Sequence, residues 1–84
     1  MKSYTFMWWC DAAHGTIDMT LTDAELALVK KAFRDGFDQL EDTDYLKDIR
    51  ERAVRKLYFY DPYADQDIRF YVPEEIRNEV YKEG

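Results

Sequence analysis

Hydrophobic residues recur at helical spacing in two segments in the middle of the chain. In both segments the apolar positions step by three or four residues, in the order Leu26, Val29, Phe33, Phe37, Leu40 and then Leu46, Ile49, Ala53, Leu57, Tyr60. Such steps place the apolar side chains along one face of an α-helix. We therefore expect two amphipathic helices that are joined by a polar link, pack antiparallel and organise the fold.

The first helix has one start signal and two competing end signals. Thr22 and Glu25 match a capping box, in which each side chain accepts a hydrogen bond from the backbone N–H of the other residue. Gly36 suits a C-terminal cap, whereas the apolar stripe continues past it to Leu40. We expect the stripe to prevail, so that the helix tolerates Gly36 at a cost of about 1 kcal/mol relative to alanine and ends near Leu40.

The second helix is bounded by an acidic segment and a proline. Residues 42–44, Asp-Thr-Asp, supply an N-terminal cap and negative charge for the first turn. Pro62 cannot continue a helix and also disfavours helical backbone at the residue before it. We therefore expect this helix to run from the acidic residues to about Tyr60.

Alternation of polar and apolar residues predicts three strands. They are Lys2–Trp9, Thr16–Leu21 and Ile68–Val72. The loop from Cys10 to Gly15 is too short for a crossover, so the first two strands should form an antiparallel hairpin. Pro73 fits the first turn of a final short helix. The predicted fold is a single α+β domain over residues 1–84 in the order ββααβα, with a small antiparallel three-stranded sheet, the antiparallel helix pair on one face, and a short C-terminal helix.

Charge and composition narrow the classes of function. The chain has 84 residues and a net charge of −6, which disfavours direct binding of nucleic acid by electrostatic attraction. It contains no apolar run of transmembrane length and no basic-then-apolar leader. We therefore expect a cytoplasmic protein without membrane contact. The single cysteine, Cys10, excludes an internal disulfide.

Residues with catalytic or metal-binding chemistry are few. Cys10, Asp11 and His14 form the one cluster with nucleophilic or soft-ligand character. A structural zinc site needs four ligands, and a Cys–His pair needs an orienting group that the sequence does not identify. The three aspartates of the segment 61–67 lack the glycine and glutamate positions of a calcium loop. We expect no metal, no cofactor and no enzymatic activity.

Aromatic residues exceed the needs of one small core. The chain has seven Tyr, five Phe and two Trp, and Trp9, Met7 and Tyr71 occupy strand positions that face away from the expected helix pair. Trp and Tyr are frequent anchors in protein interfaces. Either this aromatic face of the sheet contacts a partner, or the final helix folds beneath the sheet and covers it.

Acidic residues cluster where the two central helices are expected to meet. Residues 35–48, which we name the acidic segment, contain six acids and one lysine, a net charge of −5. The acids are Asp35, Asp38, Glu41, Asp42, Asp44 and Asp48. Basic residues of both helices should form a smaller basic face further along the pair. A charge run of this kind is either a solvated face or an array of carboxylates that docks on a basic surface.

These patterns predict a non-enzymatic acidic module that binds another protein through the acidic segment, Trp9 and Tyr71. Its most specific form is an inhibitor that occupies a basic, nucleic-acid-binding surface of its partner, as a phage-encoded antagonist of host defence would. The alternative is a self-associating housekeeping or small-ligand-binding domain that uses the aromatic sheet face. In that case the partner is a second copy of the chain, and the protein forms a homodimer.

Overall fold

The computed structural model describes residues 1–11, 13–57 and 68–83 and confirms a small α+β fold. Strands β1 (Lys2–Trp9), β2 (His14–Leu21) and β3 (Arg69–Phe70) form an antiparallel sheet in the order β2-β1-β3. The helices are α1 (Asp23–Arg34), α2 (Lys47–Lys56) and α3 (Glu74–Glu83). Two single-turn 3₁₀ helices, Leu40–Asp42 and Asp44–Leu46, lie between α1 and α2. The aspartates considered for a calcium loop lie outside the described residues.

The β1–β2 hairpin is paired along the full length of both strands. Its register runs from Lys2 opposite Leu21 to Trp9 opposite His14. Reciprocal backbone hydrogen bonds between Cys10 and Ala13, at N–O distances of 2.8 and 3.3 Å, close the turn. Strand β2 begins two residues earlier than the alternation predicted, so the connection between the strands is shorter than expected.

One face of the sheet packs into the core beneath α1 and α2. Alternate residues of β1, Tyr4, Phe6 and Trp8, are buried and join the apolar cluster to which Val29 of α1 and Ile49 of α2 belong. The alternation of β1 therefore separates a core face from an open face, as predicted.

Two contacts confirm that α1 and α2 run antiparallel. Glu25, in the first turn of α1, pairs with Arg52 of α2 at 2.8 Å. Near the other end of α1, the Lys31 ammonium lies 5.2 Å from the centre of the Tyr45 ring, just before α2 begins. Because the early part of one helix meets the later part of the other, the chain folds back on itself between them.

The prediction that the first helix continues to Leu40 is wrong. Gly36 has a φ of 98°, the Phe37 N–H donates to the Ala32 carbonyl at 2.9 Å, and the Gly36 N–H donates to the Phe33 carbonyl at 3.1 Å. These two bonds form a Schellman motif, which ends a helix with a left-handed residue. Leu40 is nevertheless buried, in a 3₁₀ turn, whereas Phe37 is 39% exposed. The apolar pattern thus correctly indicated that Leu40 is buried, but it wrongly predicted a continuous helix.

The second helix is shorter than predicted at both ends. Residues 42–44 lie in or between the 3₁₀ turns, and α2 begins only at Lys47. At the other end, the Leu57 backbone leaves helical geometry, and its N–H donates to the Val54 carbonyl at 2.9 Å. This tightened last turn directs the Leu57 side chain into the core, where it is 3% exposed. Tyr60, the predicted end, lies outside the described residues.

Helix α3 confirms the predicted final helix and packs beside α1. Ile76 and Val80 form its buried face. Lys30 of α1 contacts Glu83 at 2.9 Å, and Arg34 pairs with the same carboxylate. These basic residues of α1 therefore face acids of α3. The prediction that they form a shared basic face with α2 is wrong.

Candidate partner-binding surfaces

The open face of the sheet carries the odd-numbered residues of β1. Met7 and Trp9 project from this face and are 59% and 44% exposed. Tyr71 lies beside them, because its N–H donates to the Met7 carbonyl at 2.9 Å. The structure thus brings Trp9 and Tyr71 together on one face, as the alternation of the strands predicted.

Helix α3 runs along one side of this face and converts it into a groove of about 1030 Å³. We name this feature the sheet groove. Its floor includes Met7, Trp9 and Tyr71, and its α3 wall includes Glu74, Arg77 and Tyr81. Since α3 borders the floor and leaves Met7 and Trp9 exposed, the alternative in which the final helix covers them is wrong.

Two side chains of α3 are held in position at the groove. The Tyr81 ring packs edge-on against the Phe33 ring, with 5.5 Å between the ring centres, and Tyr81 is nevertheless 68% exposed. The Arg77 Nε donates to the Val72 carbonyl at 2.9 Å, and its guanidinium lies 5.4 Å from the centre of the Phe33 ring. Phe33 thus supports an aromatic side chain and, through a cation–π contact, a positive charge. The groove combines apolar surface with one positioned cation.

The acidic segment is less uniform in the structure than in the sequence. Five of its acids are exposed: Asp35, Asp38, Asp42, Asp44 and Asp48. The Asp35 carboxylate pairs with Lys31 at 2.7 Å, and this hydrogen bond raises the pKa of Lys31. The exposed negative charge is therefore concentrated in the four other carboxylates.

Glu41 is turned into the fold. Its Oε2 accepts the Phe70 N–H at 3.2 Å and lies 3.8 Å from the Arg50 Nε, while a nitrogen of the Arg50 guanidinium donates to the Ile68 carbonyl at 3.2 Å. Burial raises the pKa of Glu41, although the hydrogen bond from Phe70 and the charge of Arg50 oppose this shift. Glu41 and Arg50 together hold the strand β3 in place, so this carboxylate is engaged within the fold.

The acidic segment meets the border of the sheet groove at Asp38 and Gln39. Gln39 forms a β-bridge with Tyr71, and the Asp38 carbonyl accepts the Val72 N–H at 2.8 Å. The Gln39 side chain also accepts a hydrogen bond from Arg69 at 3.1 Å. The sequence did not predict that the acidic segment and the aromatic face are adjacent. A single bridge between residues that are distant in the sequence produces no periodic pattern from which this contact could be predicted.

Cys10 and His14 flank the same turn, but their side chains lie in different environments. Cys10 is buried at 2% exposure, whereas His14 is exposed and lines the sheet groove. Over the described ranges, no three His, Cys, Asp or Glu side chains converge in a group that would hold a metal ion. None of the described helices has both the length and the apolar character that crossing a membrane requires.

Comparisons of the chain with models of protein families, with curated proteins and with solved structures find no match.

Proposed function

We propose that this protein is a non-catalytic protein-binding module that holds its partner in the sheet groove. The observation that carries the proposal is the exposure of Met7, Trp9 and Tyr81 around one groove of about 1030 Å³. Contiguous exposed apolar surface is characteristic of interaction sites, and its burial contributes about 25 cal/mol per Å². Trp and Tyr in a concave site are typical anchors for a partner.

The exposed acids favour a partner with basic groups near its apolar contacts. The bridge between Gln39 and Tyr71 connects the acidic segment to the groove, and Asp38, Asp42 and Asp44 are exposed along it. Negative charge near a binding site increases the association rate with a positively charged partner. In this arrangement the groove supplies affinity and the acidic segment supplies attraction at a distance.

The groove is tested by comparing partner capture between variants. The double variant Trp9→Ala, Tyr81→Ala removes two exposed anchors, and Phe37→Ala is the matched control because Phe37 is exposed but does not line the groove. We expect wild type and Phe37→Ala to retain the same proteins from a lysate, identified by mass spectrometry, and the double variant to lose them. Retention by a folded double variant, verified by circular dichroism, would place the binding site elsewhere.

A second candidate function is docking of the acidic segment on a basic surface, where it would compete with a polyanion. The exposed carboxylates of Asp38, Asp42, Asp44 and Asp48 favour it. The variant Asp38→Asn, Asp42→Asn, Asp44→Asn tests it and spares Glu41, which holds the Phe70 N–H. Association with the captured partner should slow at low salt with little change in dissociation, since the field is screened over about 8 Å at physiological ionic strength.

The matched control for this variant replaces the same three aspartates by glutamate, which preserves the charge. Stopped-flow kinetics should therefore give wild-type association for the glutamate variant and slower association for the asparagine variant. If the asparagine variant also associates as fast as wild type, the acidic segment is only a solvated face and binding resides in the groove.

A further inference from the structure

Strand β1 has an edge that β3 covers only in part. β3 pairs with β1 at Trp8 and Trp9, and the Tyr71 N–H extends this contact to the Met7 carbonyl. Backbone groups in a strand alternate between its two edges. The N–H and C=O of Thr5 therefore point to the same edge as those of Met7.

The hydrogen bonds of β2 support this assignment independently. The carbonyls of Asp18 and Thr20 accept hydrogen bonds from Lys56 and Arg52 of α2, at 2.6 and 3.1 Å. The even-numbered residues of β2 therefore face away from β1. Because Thr5 lies opposite Asp18 in the register, its backbone also faces away from β2.

The continuation of β3 does not pair with Thr5. Continuing the antiparallel register from Trp9 opposite Arg69 would bring Pro73 opposite Thr5. Proline has no N–H to donate, and the Pro73 carbonyl already accepts the N–H groups of Ile76 and Arg77 at 3.0 and 3.1 Å. The chain turns into α3 at this point, so within the described residues no strand pairs with β1 at Thr5 on the edge that faces away from β2.

This unpaired position opens into the sheet groove. Thr5, Met7 and Pro73 all line the groove, together with Glu74 and Arg77 at the start of α3. A strand edge beside a helix, with apolar surface between them, can accept an extended peptide as an additional strand. Such a peptide would satisfy the backbone of Thr5 and place alternate side chains against the groove.

We propose that the partner contributes an extended segment that pairs with β1 at Thr5, in line with β3, and that carries apolar side chains at alternate positions. This inference rests on the proposed function and names the form of the partner. Hydrogen-bond complementarity selects this occupant. Thr5 is exposed, and a partner that covered it through side chains alone would bury the Thr5 N–H and C=O without hydrogen-bond partners, which is costly.

The probe for the test is a set of short synthetic peptides, selected from a random display library on the immobilised full-length protein. Amide hydrogen exchange, followed by NMR, reports whether backbone pairing occurs. We expect the bound peptide to slow exchange of the Thr5 amide roughly tenfold or more, because a paired amide exchanges only when the complex opens. The Thr20 amide, on the outer edge of β2 and outside the groove lining, is the internal control and should keep its rate.

N-methylation of the peptide provides the matched chemical control. Methylation of the residue opposite Thr5 should abolish binding, whereas methylation of the next residue, whose N–H faces away, should be tolerated. The proposal would be overturned by slower exchange at Thr20, by equal effects of both methylations, by a failure to select any peptide, or by binding only of a second copy of the chain. Binding that requires Trp9 and Tyr81 but leaves Thr5 exchange unchanged would overturn it too, while the proposed function would stand.

Discussion

Glu41 belongs to the acidic segment in the sequence, but its carboxylate accepts the backbone N–H of Phe70 in the structure. Its side chain is only 20% exposed, so the hydrogen bond lies in a partly buried site. A group of this kind contributes more to the position of β3 than to the charge of the surface, because its removal leaves an N–H without an acceptor.

We therefore expect Glu41→Ala to lower the free energy of unfolding by about 1–3 kcal/mol, the cost of an unsatisfied buried donor. Glu41→Gln retains an oxygen acceptor at the same place and should cost less. Urea titrations of both variants at neutral pH measure the difference. Equal losses would show that the negative charge, and not the acceptor, is what β3 requires.

The dependence of stability on pH provides a second test of Glu41. Burial raises its pKa above the ordinary value of 4.5, so the folded state holds this proton more tightly than the unfolded state. The resulting stabilisation is fully present below pH 4.5 and is lost as the pH rises through the raised pKa. Wild type should therefore lose stability relative to Glu41→Gln over this window, measured by urea unfolding at several pH values.

Two other carboxylates contribute stabilisation that depends on pH in the opposite direction. The comparison of wild type with Glu41→Gln is therefore essential. The hydrogen bond from Arg52 lowers the pKa of Glu25, and those from Lys30 and Arg34 lower the pKa of Glu83. Their stabilisation is present above pH 4.5 and is lost as the pH falls. Both contributions cancel in the difference between wild type and Glu41→Gln. A difference that is constant with pH would contradict the burial of Glu41.

The turn after α1 directs the chain from the core helix to the edge of the sheet. By ending α1 at a left-handed glycine, it allows Asp38 and Gln39 to reach Val72 and Tyr71. A helix that continued through Gly36 would have kept these residues on a straight axis. The bridge that connects the acidic segment to the sheet groove depends on this one backbone conformation.

The variant Gly36→Ala distinguishes the two ends considered for this helix by the sign of its effect. An added Cβ meets no atom within 4 Å, so the cost is the backbone strain of a left-handed alanine, about 1–2 kcal/mol. In the interior of a helix the same substitution would stabilise by about 1 kcal/mol. We expect destabilisation in a urea titration, with Ala27→Gly, in the interior of α1, as a control that should also destabilise. Stabilisation by Gly36→Ala would contradict the Schellman motif.

The shape of the molecule bears on self-association. The aromatic residues of the open face line a concave groove, and two concave surfaces cannot pack closely across a two-fold axis without side chains to fill the space between them. Close packing and shape complementarity characterise stable interfaces. On this ground we propose an inserted partner segment, and not a symmetric dimer, as the occupant of this face.

We therefore expect the wild-type protein to be a monomer at micromolar concentration by light scattering. The variant Trp9→Glu places a charge in the groove and should leave this monomer folded. A wild-type dimer that Trp9→Glu dissociates would instead support the self-associating domain that the sequence left as its alternative.

Features that depend on neighbouring residues could be predicted from the sequence. The Glu25 N–H donates to the Thr22 hydroxyl at 3.1 Å, and the Thr22 N–H donates to the Glu25 carboxylate at 3.0 Å, as the capping box requires. The core face of β1 and the buried face of α3 also follow their periodic patterns. In each case the relevant energy comes from backbone geometry and from side chains a few residues apart, so the local sequence contains the information.

Features that depend on distant parts of the chain required the folded structure. Leu40 is buried from a 3₁₀ turn and not from α1, since periodicity records which side chains are apolar but not the path of the backbone between them. Glu41 meets Phe70, and Gln39 meets Tyr71, only because β3 is placed at the edge of the sheet. The sheet groove arises in the same way, from the packing of α3 against α1. Burial and long-range hydrogen bonds set these positions, and both depend on the complete arrangement of the chain.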